Sequence, residues 1–138
     1  MKLFVDTWGW LALADRGERE HAQVVSFYAE RTRRTGLIVT SDYVLDEVFT
    51  MMFSRLEFGM ASRFADSLLR SPFITIERIT PERFQKAWEL RLKFSDKPRI
   101  SFTDLTSMAT MNDLGIAEVL TADQHFAHVG MNFRLLPG

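Results

Sequence analysis

Four acidic residues stand where an α/β chain gathers its ligands. Asp6 directly follows the apolar run Leu3-Phe4-Val5, and Asp123 lies just beyond the run Ala117–Leu120. Both runs read as short buried strands. Glu47 and Asp104 fall near the starts of helices that follow a strand and a loop. In open α/β sheets, ligands bind beyond the carboxyl ends of the strands. Carboxylate oxygens are hard donors suited to Mg²⁺ or Mn²⁺. Brought together without a cation or a proton, they repel one another. The chemistry such a cluster offers is metal-assisted phosphodiester hydrolysis, in which a bound water is acidified and phosphate charge is neutralised.

Each acid also has a structural reading. Asp6 can cap a helix beginning at Thr7. Ser101-Phe102-Thr103-Asp104 has capping-box spacing, in which the acid reaches back to the cap backbone. Asp123 can open a turn or a short helix. Glu47 shares a helical stripe with Val44 and Met51, whereas Asp46 sides with Asp42 and Thr50 and faces solvent. Glu47 is therefore the better site candidate of the two, with a salt-bridged core-edge role as its alternative. Thr7 and Thr103 can orient ligands or cap helices.

Lys93, Lys97 and Arg99 occupy a polar loop before Asp104 and are candidates for phosphate contacts. Arg31, Arg33 and Arg34 suit a helix C-terminus. Trp8 and Trp10 offer base stacking, with core packing the more ordinary role. His125-x-x-His128 has a weak zinc-ligand spacing with no third ligand, and a surface role is expected.

The elements that must position these residues alternate in type. Strands are expected at 2–5, 37–39, 73–79, 117–120 and 132–136. Helices are expected over 8–14, 21–34, from Ser41 or Asp42 to about 56, and over 59–70, 80–94 and 102–113. Thr80-Pro81 and Gly115 punctuate the later ones as start and stop. Short apolar strands alternating with helices predict a three-layer α/β/α sandwich around a mostly parallel sheet. The run Met51-Met52-Phe53, continued by Phe58 and Met60, is either core or a partner surface.

Composition narrows the remaining classes. With 138 residues, 46% of them hydrophobic and 25% charged, the chain is expected to be one soluble, unsecreted domain over residues 1–138. It has no cysteine, which excludes disulfides, thiolate metal sites and cysteine nucleophiles. A formal net charge of −1 excludes a protein that coats nucleic acid non-specifically. The apolar N-terminal run is broken by Asp6 and is too short to span a bilayer.

Four segments together resemble a known family. Phe4-Val5-Asp6-Thr7-Trp8-Gly9-Trp10-Leu11-Ala12 looks like the opening motif of PIN-domain ribonucleases. Thr40 through Glu47, Ser95 through Asp104 and Leu120 through Phe126 resemble the next three motifs, in the same order. The likeness is greatest to the small VapC type, the toxin half of toxin–antitoxin pairs. It implies a PIN-like α/β fold and Asp6, Glu47, Asp104 and Asp123 as catalytic, metal-holding acids. It also implies RNA as substrate, a homodimer and an inhibiting antitoxin, while the absence of cysteine fits a reducing, cytoplasmic location. Trp8 stands where the family often has a small residue, and Gln124 where a cation is common. Two rivals remain: a catalytically silent PIN-like module that binds RNA or protein, and a receiver-type signalling domain. The receiver reading lacks its paired first-strand acids and its late lysine.

Overall fold

The computed structural model describes residues 1–138, and its centre is a five-stranded, all-parallel sheet. The strands are β1 (Leu3–Val5), β2 (Ile38–Ser41), β3 (Ile74–Glu77), β4 (Glu118–Leu120) and β5 (Arg134–Leu136), in spatial order β3-β2-β1-β4-β5. Every residue of β1, β2 and β4 is buried. Successive strand side chains point to opposite faces, so both faces of the sheet centre are covered. The expected α/β/α layering is what forms.

Seven helices connect and cover the strands: α1 (Thr7–Ala14), α2 (His21–Arg34), α3 (Asp42–Arg55), α4 (Phe58–Arg70), α5 (Pro81–Lys93), α6 (Phe102–Leu114) and the single turn α7 (His125–His128). The termini follow local chemistry. Ser41, not Asp42, caps α3, its hydroxyl accepting from the Val44 N–H. Thr80 caps α5 ahead of Pro81. Gly115 ends α6 in the left-handed conformation at φ 69°. Helix α6 is buried continuously from Asp104 to Met111, so an acid in its first turn enters the interior with it.

Three expectations change. The strand expected over 73–79 contracts to Ile74–Glu77, because β3 is an edge strand and pairs only with β2. The Met51–Met60 run divides: Met52 is core, while Phe53 and Phe58 stack in the open with ring centroids 5.4 Å apart. Arg31 does not serve the carboxyl end of α2. It crosses to Glu118 at the start of β4, 2.7 Å away, while Arg33 pairs locally with Glu30 and Arg34 stays exposed at the helix end.

Candidate active site

From β1 the chain builds outward through β2 to β3, then returns to add β4 and β5 on the other side. The order therefore reverses between β1 and β4, and a crevice opens beyond their carboxyl ends. Asp6 and Asp123 stand at its two walls.

Asp6 caps α1 and also faces the crevice. Its Oδ1 caps α1 by accepting from the Gly9 N–H at 3.1 Å, and its Oδ2 accepts from the Thr121 hydroxyl at 2.5 Å. Gly9 makes this approach possible. A Cβ there would lie 2.8 Å from the Leu120 carbonyl oxygen and from Val5, closer than atoms can pack. With glycine, α1 seats directly on the end of β4.

Glu47 projects from α3 to the same cavity, and the Thr7 hydroxyl donates to its Oε1 at 2.6 Å. Its neighbour Asp46 is exposed. Asp104 forms half of a capping box: its backbone N–H donates to the Ser101 hydroxyl at 3.0 Å. Its carboxylate turns to the other acids. Asp123 is held by its own turn, its N–H donating to the Thr121 hydroxyl and its Oδ1 accepting from the His125 N–H, each at 2.9 Å.

The electrostatics follow from this crowding. Burial pushes the Asp6 carboxyl up to about 7, against hydrogen bonds from Thr121 and Gly9 that pull it down. Asp104 is raised well above the carboxylate range. Burial is the main cause, followed by hydrogen bonding to Asp123 and repulsion from Asp123, Asp6 and Glu47. The cavity, about 380 Å³, is lined by all four acids and opens past Trp8, Arg55 and Arg99. An arrangement of this kind is a receptor for positive charge.

The structure thus brings Asp6, Glu47, Asp104, Asp123, Thr7 and Arg99 to one cavity. It does not bring Lys97 or Thr103 there. Lys97 pairs with Asp96 at 3.0 Å and lies over the Phe94 ring, because its loop folds back on α5. There Arg91 binds the carbonyls of Phe94, Lys97 and Ile100. Thr103 contributes its carbonyl to Thr106 inside α6, and Ser101 is the hydroxyl that lines the cavity. The two tryptophans part company. Trp8 lines the cavity, and Trp10 is buried with its Nε1–H donating to Thr40.

Sequence reasoning missed Thr121, Arg55 and His125. Arg55 sits two turns along α3 from Glu47, a spacing that keeps both on one helix side. His125 carried a visible signal, two residues after Asp123. Its Nδ1 lies 3.0 Å from Asp123 and 4.0 Å from Asp104, so it is no surface histidine; His128 is exposed.

Comparison with known proteins agrees with this geometry. The family model described as PIN domain matches residues 3–131. The chain belongs to the PIN-domain family. This PIN domain is 30% identical over 129 residues to the 23S rRNA-specific endonuclease VapC20 of Mycobacterium tuberculosis, in two strains. The match covers 93% of this chain and 94% of the relative. The crystal structure of Mycobacterium tuberculosis VapC20, described as a sarcin–ricin loop cleaving toxin, superimposes with a TM-score of 0.82 at 29% identity. That match covers 94% of this PIN domain and 95% of the toxin.

Proposed function

We propose that this PIN domain is an endoribonuclease of VapC type, the toxin of a toxin–antitoxin pair, and that it cuts RNA with Mg²⁺ or Mn²⁺. The observation that carries the reading is the convergence of Asp6, Glu47, Asp104 and Asp123 at the β1/β4 crevice, with the Asp104 carboxylate disfavoured by burial and then by the other three. The donor set fits a hard divalent cation. A buried His125 nitrogen without a hydrogen-bond partner faces the same acids. When bound, such an ion lowers the pKa of a water and neutralises the scissile phosphate.

The chain's own groups do the remaining work. Asp6, Glu47, Asp104 and Asp123 hold the ion, directly or through waters. Thr121 fixes the Asp6 carboxylate and Thr7 fixes Glu47. Arg55 and Arg99, neither engaged in a salt bridge, supply phosphate contacts at the rim. The similarity to a ribosomal RNA endonuclease makes structured ribosomal RNA the first substrate to try. An antitoxin covering the acidic cavity, a homodimer and a cytoplasmic location belong to the same reading. No helix is long and apolar enough to cross a membrane.

The test is cleavage of ribosomal RNA with Mg²⁺ or Mn²⁺, comparing wild type with Asp104→Asn prepared identically. Activity that both EDTA and the substitution abolish is the expected result. Equal activity in the two preparations would overturn the reading. Sedimentation at tens of micromolar, the range of modest affinity, is expected to show a dimer.

A further inference from the structure

We infer that His125 supplies a nitrogen ligand to the cation held by Asp104 and Asp123, and that this tilts the site from Mg²⁺ toward Mn²⁺. The inference rests on the metal-dependent reading above and adds a residue and a selectivity to it.

The first observation is an unsatisfied atom. His125 Nδ1 is buried and makes no hydrogen bond, although the ring edge is about one-third exposed. A buried polar nitrogen without a partner is costly and calls for an explanation. Asp123 Oδ1 lies 3.0 Å away, but that oxygen accepts the His125 backbone N–H, and the ring contact lacks hydrogen-bond alignment. In the neutral ring, which makes no ion pair, the nitrogen has no partner inside the fold.

Spacing is the second observation. One atom each from Asp104, Asp123 and His125 lie within 4.8 Å of one another. The nitrogen is 3.0 Å from Asp123 and 4.0 Å from Asp104. In a six-coordinate site with bonds of about 2.1 Å, adjacent donors stand about 3 Å apart and opposite donors about 4.2 Å. The two separations from the imidazole nitrogen fall in that range.

Rigidity is the third. The imidazole is carried by the one-turn helix α7, whose Phe126 is 1% exposed and packs edge-on against Phe133 at 6.0 Å. Asp123 and His125 are further tied by the bond between the His125 N–H and the Asp123 carboxylate. The donor is held in place before any ion arrives.

The chemical consequence is selectivity. Mg²⁺ prefers an all-oxygen shell and sheds water reluctantly. Affinity for nitrogen donors rises along the first-row transition ions, of which Mn²⁺ is the first member. A fifth acid in place of His125 would leave this discrimination out.

Mn²⁺ bound to the wild-type chain, studied by electron spin-echo spectroscopy, tests this directly. An imidazole ¹⁴N coupling that changes to ¹⁵N on selective histidine labelling is the expected result. Its absence in Mn²⁺-loaded protein overturns the inference. Calorimetry gives an independent check. His125→Ala is expected to weaken Mn²⁺ binding about tenfold and Mg²⁺ binding less than twofold. Equal losses for the two ions, or none, count against a nitrogen ligand. Asp104→Asn separates the levels. If it loses Mn²⁺ while His125→Ala keeps both ions unchanged, only the inference falls. If the wild type takes up neither ion, the metal-dependent reading falls with it.

Discussion

A buried acid opens strand β4 and a cluster of acids gathers beyond its other end, and the two ends are treated in opposite ways. At its start, the Glu118 side chain is 5% exposed and receives two guanidinium groups, from Arg31 of α2 and Arg134 of β5. Burial alone would raise that carboxyl, but the hydrogen bonds from Arg134 and Arg31 outweigh it and hold it below its ordinary range. Beyond the other end, Asp6, Asp104 and Asp123 face one another with no lysine or arginine in contact. There burial and mutual repulsion raise Asp6 and Asp104. The fold can bring arginine to a buried acid and does so where the acid is structural. Where it does not, the acids raise one another, which is the pattern expected of a site that takes up a cation.

Substituting one acid at each end separates the two roles. Asp104→Asn is expected to cut RNA cleavage by about a hundredfold or more, since it removes a group that holds the cation. With its carboxyl raised well above the carboxylate range, Asp104 keeps its proton at pH 7 without metal, so the amide replaces a neutral group and the melting temperature should stay close to that of wild type. An activity loss accompanied by lower stability would place Asp104 with the structural acids. Glu118→Ala is expected to act in reverse. It strands Arg31 in the interior and should lower unfolding free energy by about 3 kcal/mol in urea titrations. The folded fraction should keep its cleavage rate.

The pH dependence distinguishes the ends as well. Asp6 is raised from 3.8 to about 7, so the folded chain retains a proton that the unfolded chain releases. Asp104 is raised further, so metal-free protein should lose stability as pH rises from about 4 through 7, and the decline should continue above pH 7. Glu118 is lowered below 4.5, so its contribution is present above that value and lost as pH falls further. Melting temperature without metal should peak near pH 4 to 5 and decline on both sides. Adding Mn²⁺ should flatten or invert only the upper decline, because ion binding requires the deprotonated acids.

Much of this contrast could be read along the chain, and part of it could not. Asp6 and Asp123 are visible because a strand is a short apolar run and a ligand site lies past its end. Glu47 emerges from helical periodicity alone. What periodicity does not contain is the order of strands across the sheet. Nothing local says that β4 lies beside β1, so Thr121 could not be recognised as the partner of Asp6, 115 positions away. The Arg31–Glu118 pair is hidden for the same reason. The His125-x-x-His128 spacing presents the two as a pair, yet α7 buries one imidazole nitrogen of His125 among the acids and leaves His128 in solvent. Lys97 shows the converse error, since nearness in sequence to Asp104 is cancelled by a loop that Arg91 folds away.

The smallest expected effect concerns the hydroxyls that hold the acids rather than the acids themselves. Thr7→Val keeps the shape of the side chain and removes the donor to Glu47 Oε1. Thr7 is half-buried at the start of α1, and its own backbone bonding is unaffected by the change. One hydrogen bond to a charged, partly solvated oxygen contributes about 1 kcal/mol, which corresponds to roughly fivefold in rate. The loss should appear in kcat at saturating metal, with little change in unfolding free energy. If the bond instead only fastens α1 to α3, the result reverses: stability drops by about 1 kcal/mol and kcat stays constant. That outcome would move Glu47 from the open end of β4 to the company of Glu118, an acid whose partner is already inside the fold.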